Sequence, residues 1–430
     1  MPRNRHKLPR KTAIPVTLAV VAALGWTSIG MPGWANEEPR QPSAGSAPSS
    51  AAAPPVACDD QDSPKKGWYQ AVYVHTAGKD NSAKAVPHIQ RVMWNSDQIF
   101  EASAKRFGQG DSRRLRFVQD KNCRIDVMSV AVEGLPARPS FGATRMKAQA
   151  AVAAVMRKAD RASRERFKRT RPVYFYDNGA RGCGVSTIFK PKGRADLHTG
   201  RAAVSWGCAT VPAVTHELIH QFGVSHCNNK RDQGGDPICR GYDRTPRCND
   251  TMATVVLDCA KDEFHYFHPR PASGSPLARN PKENVANSPY LITDQPVRPL
   301  KMRLANKAGG KCLTADGSGV VQSTCGTGAE QSWSRAIDKE GYFTFTVKGK
   351  CLTAPSGDRA AVTFAVCKAG DGRQQWWMPS GRGSSADRYE MVNHETGRKL
   401  KAGGRSNSKG ASPVVTARGG ASGFGMQIAE

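Results

Sequence analysis

The chain has 430 residues, enough for two or three domains, with a formal charge of +27 and twelve cysteines. That charge favours anionic surfaces such as cell-wall polymers, acidic polysaccharide, nucleic acid or acidic proteins. The basic residues are spread through 105–124, 157–171 and the C-terminal region without a nucleic-acid-binding motif or interleaved aromatics, so no specific nucleic-acid partner is expected; no Cys-x-x-Cys pair offers a zinc knuckle.

The chain opens on a basic stretch, Arg3, Arg5, Lys7, Arg10 and Lys11, followed by an apolar run from Ala13 to Trp26. The run is too short and too soon interrupted for a membrane span, and Gly33-Trp34-Ala35 offers small residues for cleavage. Residues 1–35 are therefore read as a signal peptide cut after Ala35, with an uncleaved anchor as the alternative. Cleavage leaves a secreted protein of charge +22 without a membrane span, in a compartment where disulfides are the default. Residues 36–57, rich in Ala, Ser, Pro and Gly, read as a disordered spacer or a short pro-segment. Cys58 then reads as a disulfide half, or as a thiolate that blocks a metal in a latent form.

From Gly67 the pattern turns globular. Tyr69–His75, Leu115–Val118, Ile125–Val132, Val173–Tyr176 and Ala202–Trp206 read as strands. Residues 84–107 and 144–165 read as two long helices. A further helix, with Pro212 in its first turn, carries the most informative stretch of the chain, His216-Glu217-Leu218-Ile219-His220-Gln221-Phe222-Gly223-Val224-Ser225-His226. His216 and His220 are four apart, one turn above the other on one helix face. Gly223 permits the positive φ with which the chain leaves the helix, and His226 returns as a third ligand. Three ligands with one open position suit a catalytic zinc ion, and Glu217 stands beside them as a base for its water.

The H-E-x-x-H-x-x-G-x-x-H spacing resembles the metzincin metalloproteases. The resemblance implies a zincin fold for residues 58–268, one catalytic Zn2+, peptide-bond hydrolysis of a protein or peptide substrate, and a downstream Met-turn. Met252, 26 residues after His226, fits that turn, with core packing as the plainer alternative. Thr254 stands where some relatives carry Tyr, so no tyrosine ligand is expected there. Tyr266 reads as aromatic packing, and Cys227 as a disulfide half or a thiolate near zinc. The strand at Ala202–Trp206 is the candidate sheet edge for an extended substrate. Asn249-Asp250-Thr251 is a glycosylation sequon. Residues 269–296 read as a linker with short packed pieces.

An internal repeat begins near residue 297. Gly310-Lys311-Cys312-Leu313-Thr314-Ala315 recurs as Gly349-Lys350-Cys351-Leu352-Thr353-Ala354, a period of 39, and each copy proceeds to a second cysteine and a Q-x-W at Gln331–Trp333 and Gln374–Trp376. A weaker third copy starts at Gly397, with Lys399 at its cysteine position and Phe424-Gly425-Met426 near its missing Q-x-W. Three such repeats resemble a ricin B-type β-trefoil over 297–430. The resemblance implies structural roles for Trp333 and Trp376, bridges Cys312–Cys325 and Cys351–Cys367, and sugar contacts near Asp316 with Glu330 and Asp358 with Asp371, although these match the family pattern poorly. The fold class expected is an α+β zincin/metzincin-like catalytic domain followed by an all-β trefoil (ricin B-like) domain. The function expected is a secreted zinc endopeptidase held on a glycosylated or anionic cell-surface polymer. A secreted carbohydrate-binding protein on a non-catalytic zincin scaffold is the alternative.

Overall fold

A computed structural model describes residues 58–59, 63–134, 139–177, 182–188, 193–197, 200–226, 236–238, 256–258, 266–295, 300–306, 310–317, 319–377, 391–401, 414–416 and 424–428. The leader, the spacer, Cys227, Met252, Thr254 and the sequon lie outside these residues.

The first domain is a five-stranded sheet in the order β3-β1-β4-β6-β5. Its strands are β1 (Trp68–Thr76), β3 (Val127–Val132), β4 (Thr170–Tyr176), β5 (Gly184–Ile188) and β6 (Gly200–Ser205). The first four in spatial order run parallel, and β5 closes the edge antiparallel to β6. Both faces are covered, which explains why β1 and β4 read as nearly unbroken apolar runs. Val72, Val74, Val130, Val132, Tyr174 and Tyr176 face helix α2 (Phe141–Lys158). Ala71, Tyr73, Val173, Phe175 and Val204 belong to the larger cluster with α1 (Ser82–Phe107) and α4 (Val211–His220). The single helix expected over 144–165 is two, because α2 ends at Ala159 and Asp160 caps α3 (Arg161–Lys168) by accepting from Ser163 N at 2.9 Å.

The sheet edge also differs from expectation. Ala202–Ser205 lie in β6, which is hydrogen-bonded on both sides, to β4 and to β5, and so has no open edge; Trp206 starts the turn that follows. Among the described residues the sheet's two edges are β3 and β5, and β5 is the edge on the side of α4.

The stretch expected as a linker is packed along its described length. Strand β7 (Leu291–Thr293) pairs with β2 (Arg113–Leu115), and Tyr290 is buried with the Arg171 guanidinium 3.4 Å above its ring. These residues extend the first domain to about 295 because they complete its apolar base.

The second domain is all β. Its strands are β8 (Leu300–Asn306), β9 (Lys311–Asp316), β10 (Gly319–Thr324), β11 (Trp333–Ile337), β12 (Phe343–Val347), β13 (Lys350–Thr353) and β14 (Thr363–Val366), then β15 (Trp376–Trp377), β16 (Val392–Asn393), β17 (Lys399–Lys401), β18 (Val414–Thr416) and β19 (Phe424–Ile428). Repeated hairpins, β9–β10 and β13–β14, place the two cysteine-bearing copies in equivalent positions. The last strand returns to pair with the first, β19 with β8, and closes the unit without relying on a disulfide in the third copy.

Helix α1 joins the two domains. Residues 92–104 are buried all round, polar members included. Asp97 accepts from Leu115 N at 2.6 Å and from Arg114 Nε at 3.1 Å; Glu101 accepts from Ser112 Oγ at 2.7 Å. Ser96 Oγ accepts from Thr215 Oγ1 of α4 at 3.0 Å. On the other side Arg335 of β11, 3% exposed, stacks its guanidinium 4.1 Å from the Trp94 ring and donates to Asn95 Oδ1 at 3.4 Å. Gly341, at φ +83°, approaches so closely that a Cβ would stand 2.3 Å from the Ala102 carbonyl oxygen.

Burial pushes the Glu101 carboxyl up to about 7 against the pull of Ser112 and Lys105. The unfolded chain ionises this group near its ordinary 4.5, so the folded state holds the extra proton between the two values and stability falls as pH rises through that window. Glu101→Gln removes the slope. Its stability relative to wild type should therefore grow from pH 4.5 to 7.5 by on the order of 3 kcal/mol, read from denaturant unfolding at the two pH values; an unchanged difference refutes the assignment.

Candidate metal centre

Helix α4 starts at Thr210, whose hydroxyl accepts from Ala213 N, with a proline in its first turn. It ends where Gly223 takes φ +81°, which turns the chain back on the helix. His216, His220 and His226 thereby converge. Their Nε2 atoms stand 3.0 Å (216–226), 3.1 Å (216–220) and 3.1 Å (220–226) apart.

This triangle fits a metal ion. His216 Nδ1 lies 2.8 Å from the Pro237 carbonyl oxygen and His220 Nδ1 lies 2.7 Å from that of Val224. A carbonyl only accepts, so each Nδ1 carries the hydrogen and each Nε2 presents a lone pair to the centre. Converging lone pairs call for a cation. Two nitrogens on one tetrahedral zinc at about 2.0–2.1 Å stand about 3.3–3.4 Å apart, close to the observed sides. Burial, moreover, drives His220 down to about 4, which keeps it neutral. These three are the one cluster of metal-ligating side chains found among the described residues.

Glu217 is buried, 6% exposed, and lines the same cleft of about 470 Å3 with Gly184, Ser186 and Ser225. Its Oε2 has no hydrogen-bond partner. Burial lifts its carboxyl to about 7, with the nearby Ser186 hydroxyl opposing. Gly184 is required here: a Cβ would meet Glu217 Oε1 at 2.4 Å. Ser186 Oγ donates to the Glu217 backbone carbonyl at 2.8 Å, tying β5 to the ligand helix. A bridge between Cys183 and Cys208 ties the two a second time, just before β5 and just before α4.

Several supporting residues were not singled out in the sequence. Gly184-Val185-Ser186-Thr187-Ile188 carries the β-branched signal of a strand but is short and glycine-flanked. Pro237 was invisible because its role is played by a backbone carbonyl. Tyr266 is packed, as read, but also donates from its hydroxyl to Asp236 Oδ1 at 2.7 Å and accepts from Asp258 N at 3.0 Å. Asp236 neighbours Pro237, so Tyr266 holds the segment that orients His216 rather than reaching the cleft. Cys58 is bridged to Cys123 and has no free thiol for the metal.

In the second domain, Trp333 and Trp376 are fully buried and donate from Nε1 to the carbonyls of Leu313 (2.9 Å) and Leu352 (3.0 Å), the residue after the first cysteine in each copy. Gln331 Nε2 donates to Thr324 O and its Oε1 accepts from Gly326 N; Gln374 does the same with Val366 O and Lys368 N. Cys312–Cys325 and Cys351–Cys367 are bridged. The family model of the ricin-type beta-trefoil lectin domain matches residues 300–422.

The C-terminal domain is a ricin-type β-trefoil.

Solved structures similar to the chain include ThreeFoil, a designed protein of threefold symmetry (24% identity over 30% of this chain and 97% of that one, TM-score 0.27). Others are SeviL bound to asialo-GM1 saccharide (15%, 31% and 100%, TM-score 0.26) and the Macrolepiota procera ricin B-like lectin in complex with lactose (11%, 30% and 94%, TM-score 0.27). No curated protein matches the chain. In the trefoil, Asp316 and Asp358 are exposed, and Asp371 caps its own turn by accepting from Arg373 N at 3.0 Å. Thr314 Oγ1 and Ser323 Oγ, 2.6 Å apart, both accept from Gln331 Nε2, so the polar groups beneath the first Q-x-W satisfy one another.

The purified chain should hold one zinc ion by elemental analysis. His220→Ala should abolish it and Glu217→Gln should keep it, while Tyr266→Phe, which loosens the Pro237 segment, should weaken zinc affinity about tenfold. Zinc retained by His220→Ala would refute the triangle as the site.

Proposed function

We propose that the protein is a secreted zinc endopeptidase whose β-trefoil tethers it to a carbohydrate-bearing surface. The observation that carries this reading is the triangle of three imidazole nitrogens with the unpartnered Glu217 carboxylate oxygen in the same cleft. A closed structural site has no use for a buried carboxylate there.

A zinc ion held by His216, His220 and His226 would supply Lewis acidity, acidifying water and polarising a carbonyl. Glu217 takes the proton released by the attacking water at its free oxygen and hands it to the departing amine. Burial near neutrality suits both halves of that task. Gly184 leaves room for the carboxylate, and Ser186 holds β5 against the helix. The open edge of β5 then accepts an extended substrate strand through main-chain hydrogen bonds. The four disulfides among the described residues accord with an extracellular site of action, as does the fact that no described helix is long and apolar enough to cross a membrane. Tethering raises the local concentration of substrates on that surface. The second reading, a carbohydrate-binding protein without turnover, is favoured by the family match, which covers the trefoil alone.

Cleavage of an unfolded protein substrate separates the two. The zinc-loaded chain should cut it, and Glu217→Gln at equal zinc occupancy should lose at least about 10³-fold in rate; no cleavage by either would favour the second reading, and equal rates would refute Glu217 as the base. Gly184→Ala should keep zinc and fold yet lose about 10- to 100-fold in rate, because its methyl group displaces the carboxylate.

A further inference from the structure

The reverse face of β5 carries a cavity of about 90 Å3, on the other side of the sheet from the histidines. Its walls include Arg145 of α2, Tyr174 and Tyr176 of β4, Arg201 of β6, and Val185 and Thr187 of β5. No acidic residue lines it among the described residues. Tyr176 is 0% exposed, and its hydroxyl has no hydrogen-bond partner; nor has Arg145 Nε. Burial pushes the Tyr176 phenol up, so it stays a donor. A buried donor left unmade costs about 1–3 kcal/mol, so the cavity is built for an acceptor. The first turn of α2, Phe141 and Gly142, completes the wall, and this helix end is positive and has no acid in its first turn. The volume exceeds the roughly 10–15 Å3 that one water needs and falls short of the roughly 150 Å3 that admits benzene. A carboxylate group fits those bounds.

The register of β5 says what delivers it. Gly184 and Ser186 pair with Val204 and Ala202 and line the histidine cleft; Thr187 pairs with Arg201 and lines the reverse cavity, and Val185, paired with Ala203 at the rim between them, touches both. A chain added to the open edge alternates in the same way, one side chain toward the histidines and the next toward the cavity. Val185 at that edge is 43% exposed, a large apolar side chain with nothing covering it.

We propose that the reverse-face cavity is a subsite for an acidic side chain of a polypeptide docked along β5, in a position next to one that faces the histidines. The inference rests on β5 being the docking edge, and adds the class of residue selected there. The test uses the full chain carrying Glu217→Gln, so that bound peptides persist. Capped, fluorescein-labelled dodecapeptides, identical except for Glu, Gln or Lys placed at each position in turn, are titrated by anisotropy. Glu should bind about tenfold or more tightly than Gln at one position or at positions two apart. Arg145→Gln with Arg201→Gln should erase that preference. Tyr176→Phe should reduce it several-fold without lowering the melting temperature, since the hydroxyl it removes is unpartnered. Peptides that bind without an acidic preference, or a preference that survives these substitutions, would sink the subsite and leave the docking edge standing. Binding of no peptide at all would sink both, independently of whether wild type cleaves.

Discussion

The structure depends on keeping one long helix dry. Helix α1 is buried all round over more than three turns, yet its buried stretch contains Asn95, Ser96, Asp97, Gln98, Glu101 and Ser103. A carboxylate inside a protein is tolerated only when its hydrogen bonds are made. Asp97 therefore fixes Arg114 and the start of Leu115, Glu101 fixes Ser112, and Ser96 fixes Thr215 on the ligand helix. Ser96, Asp97 and Glu101 thus each fix the position of a different neighbour. The trefoil completes the enclosure by setting Arg335 against Trp94 and Asn95. Two domains that look separable in the chain share one core.

From that helix the geometry passes to the histidines in two steps. Thr215 precedes His216 directly, so the Ser96 contact sets the rotation of α4 about its axis. The carbonyls of Pro237 and Val224 then set which ring nitrogen of His216 and His220 bears hydrogen. The ring orientation is decided by backbone, and the side chains around it, Asp236 and Tyr266, serve to place that backbone.

The parts of the protein that were legible in its sequence are those written in side-chain spacing. The eleven-residue histidine stretch brings its three rings together because helical periodicity and one glycine suffice to do so. The Q-x-W repeats announce equivalent hairpins because each Trp and Gln anchors on the same cysteine-bearing strand. What escaped was written elsewhere. The edge role belongs to Gly184–Ile188 rather than Ala202–Trp206, since which strand lies outermost is a property of sheet order that no local pattern encodes. Residues 269–295 look like a linker because their apolar members, Leu277, Val285, Tyr290 and Leu291, follow no period, yet each finds a place in the core. The break between α2 and α3 rests on one capping aspartate within a run of good helix formers. Asp316 and Asp358 drew notice by residue type alone, whereas the buried network of Thr314, Ser323 and Gln331 is made by contacts across the hairpin that spacing does not announce.

The bridge between Cys183 and Cys208 joins the residue before Gly184 to the turn before α4. It holds together the strand that receives Glu217 and the helix that supplies it, which otherwise touch through short contacts such as that of Ser186. While both thiols are reduced, the strand's place depends on its pairing with β6 and on the Ser186 contact. Completion of the cleft is in this way tied to oxidation, so the compartment that closes the bridge also sets when in the protein's life the cleft is finished.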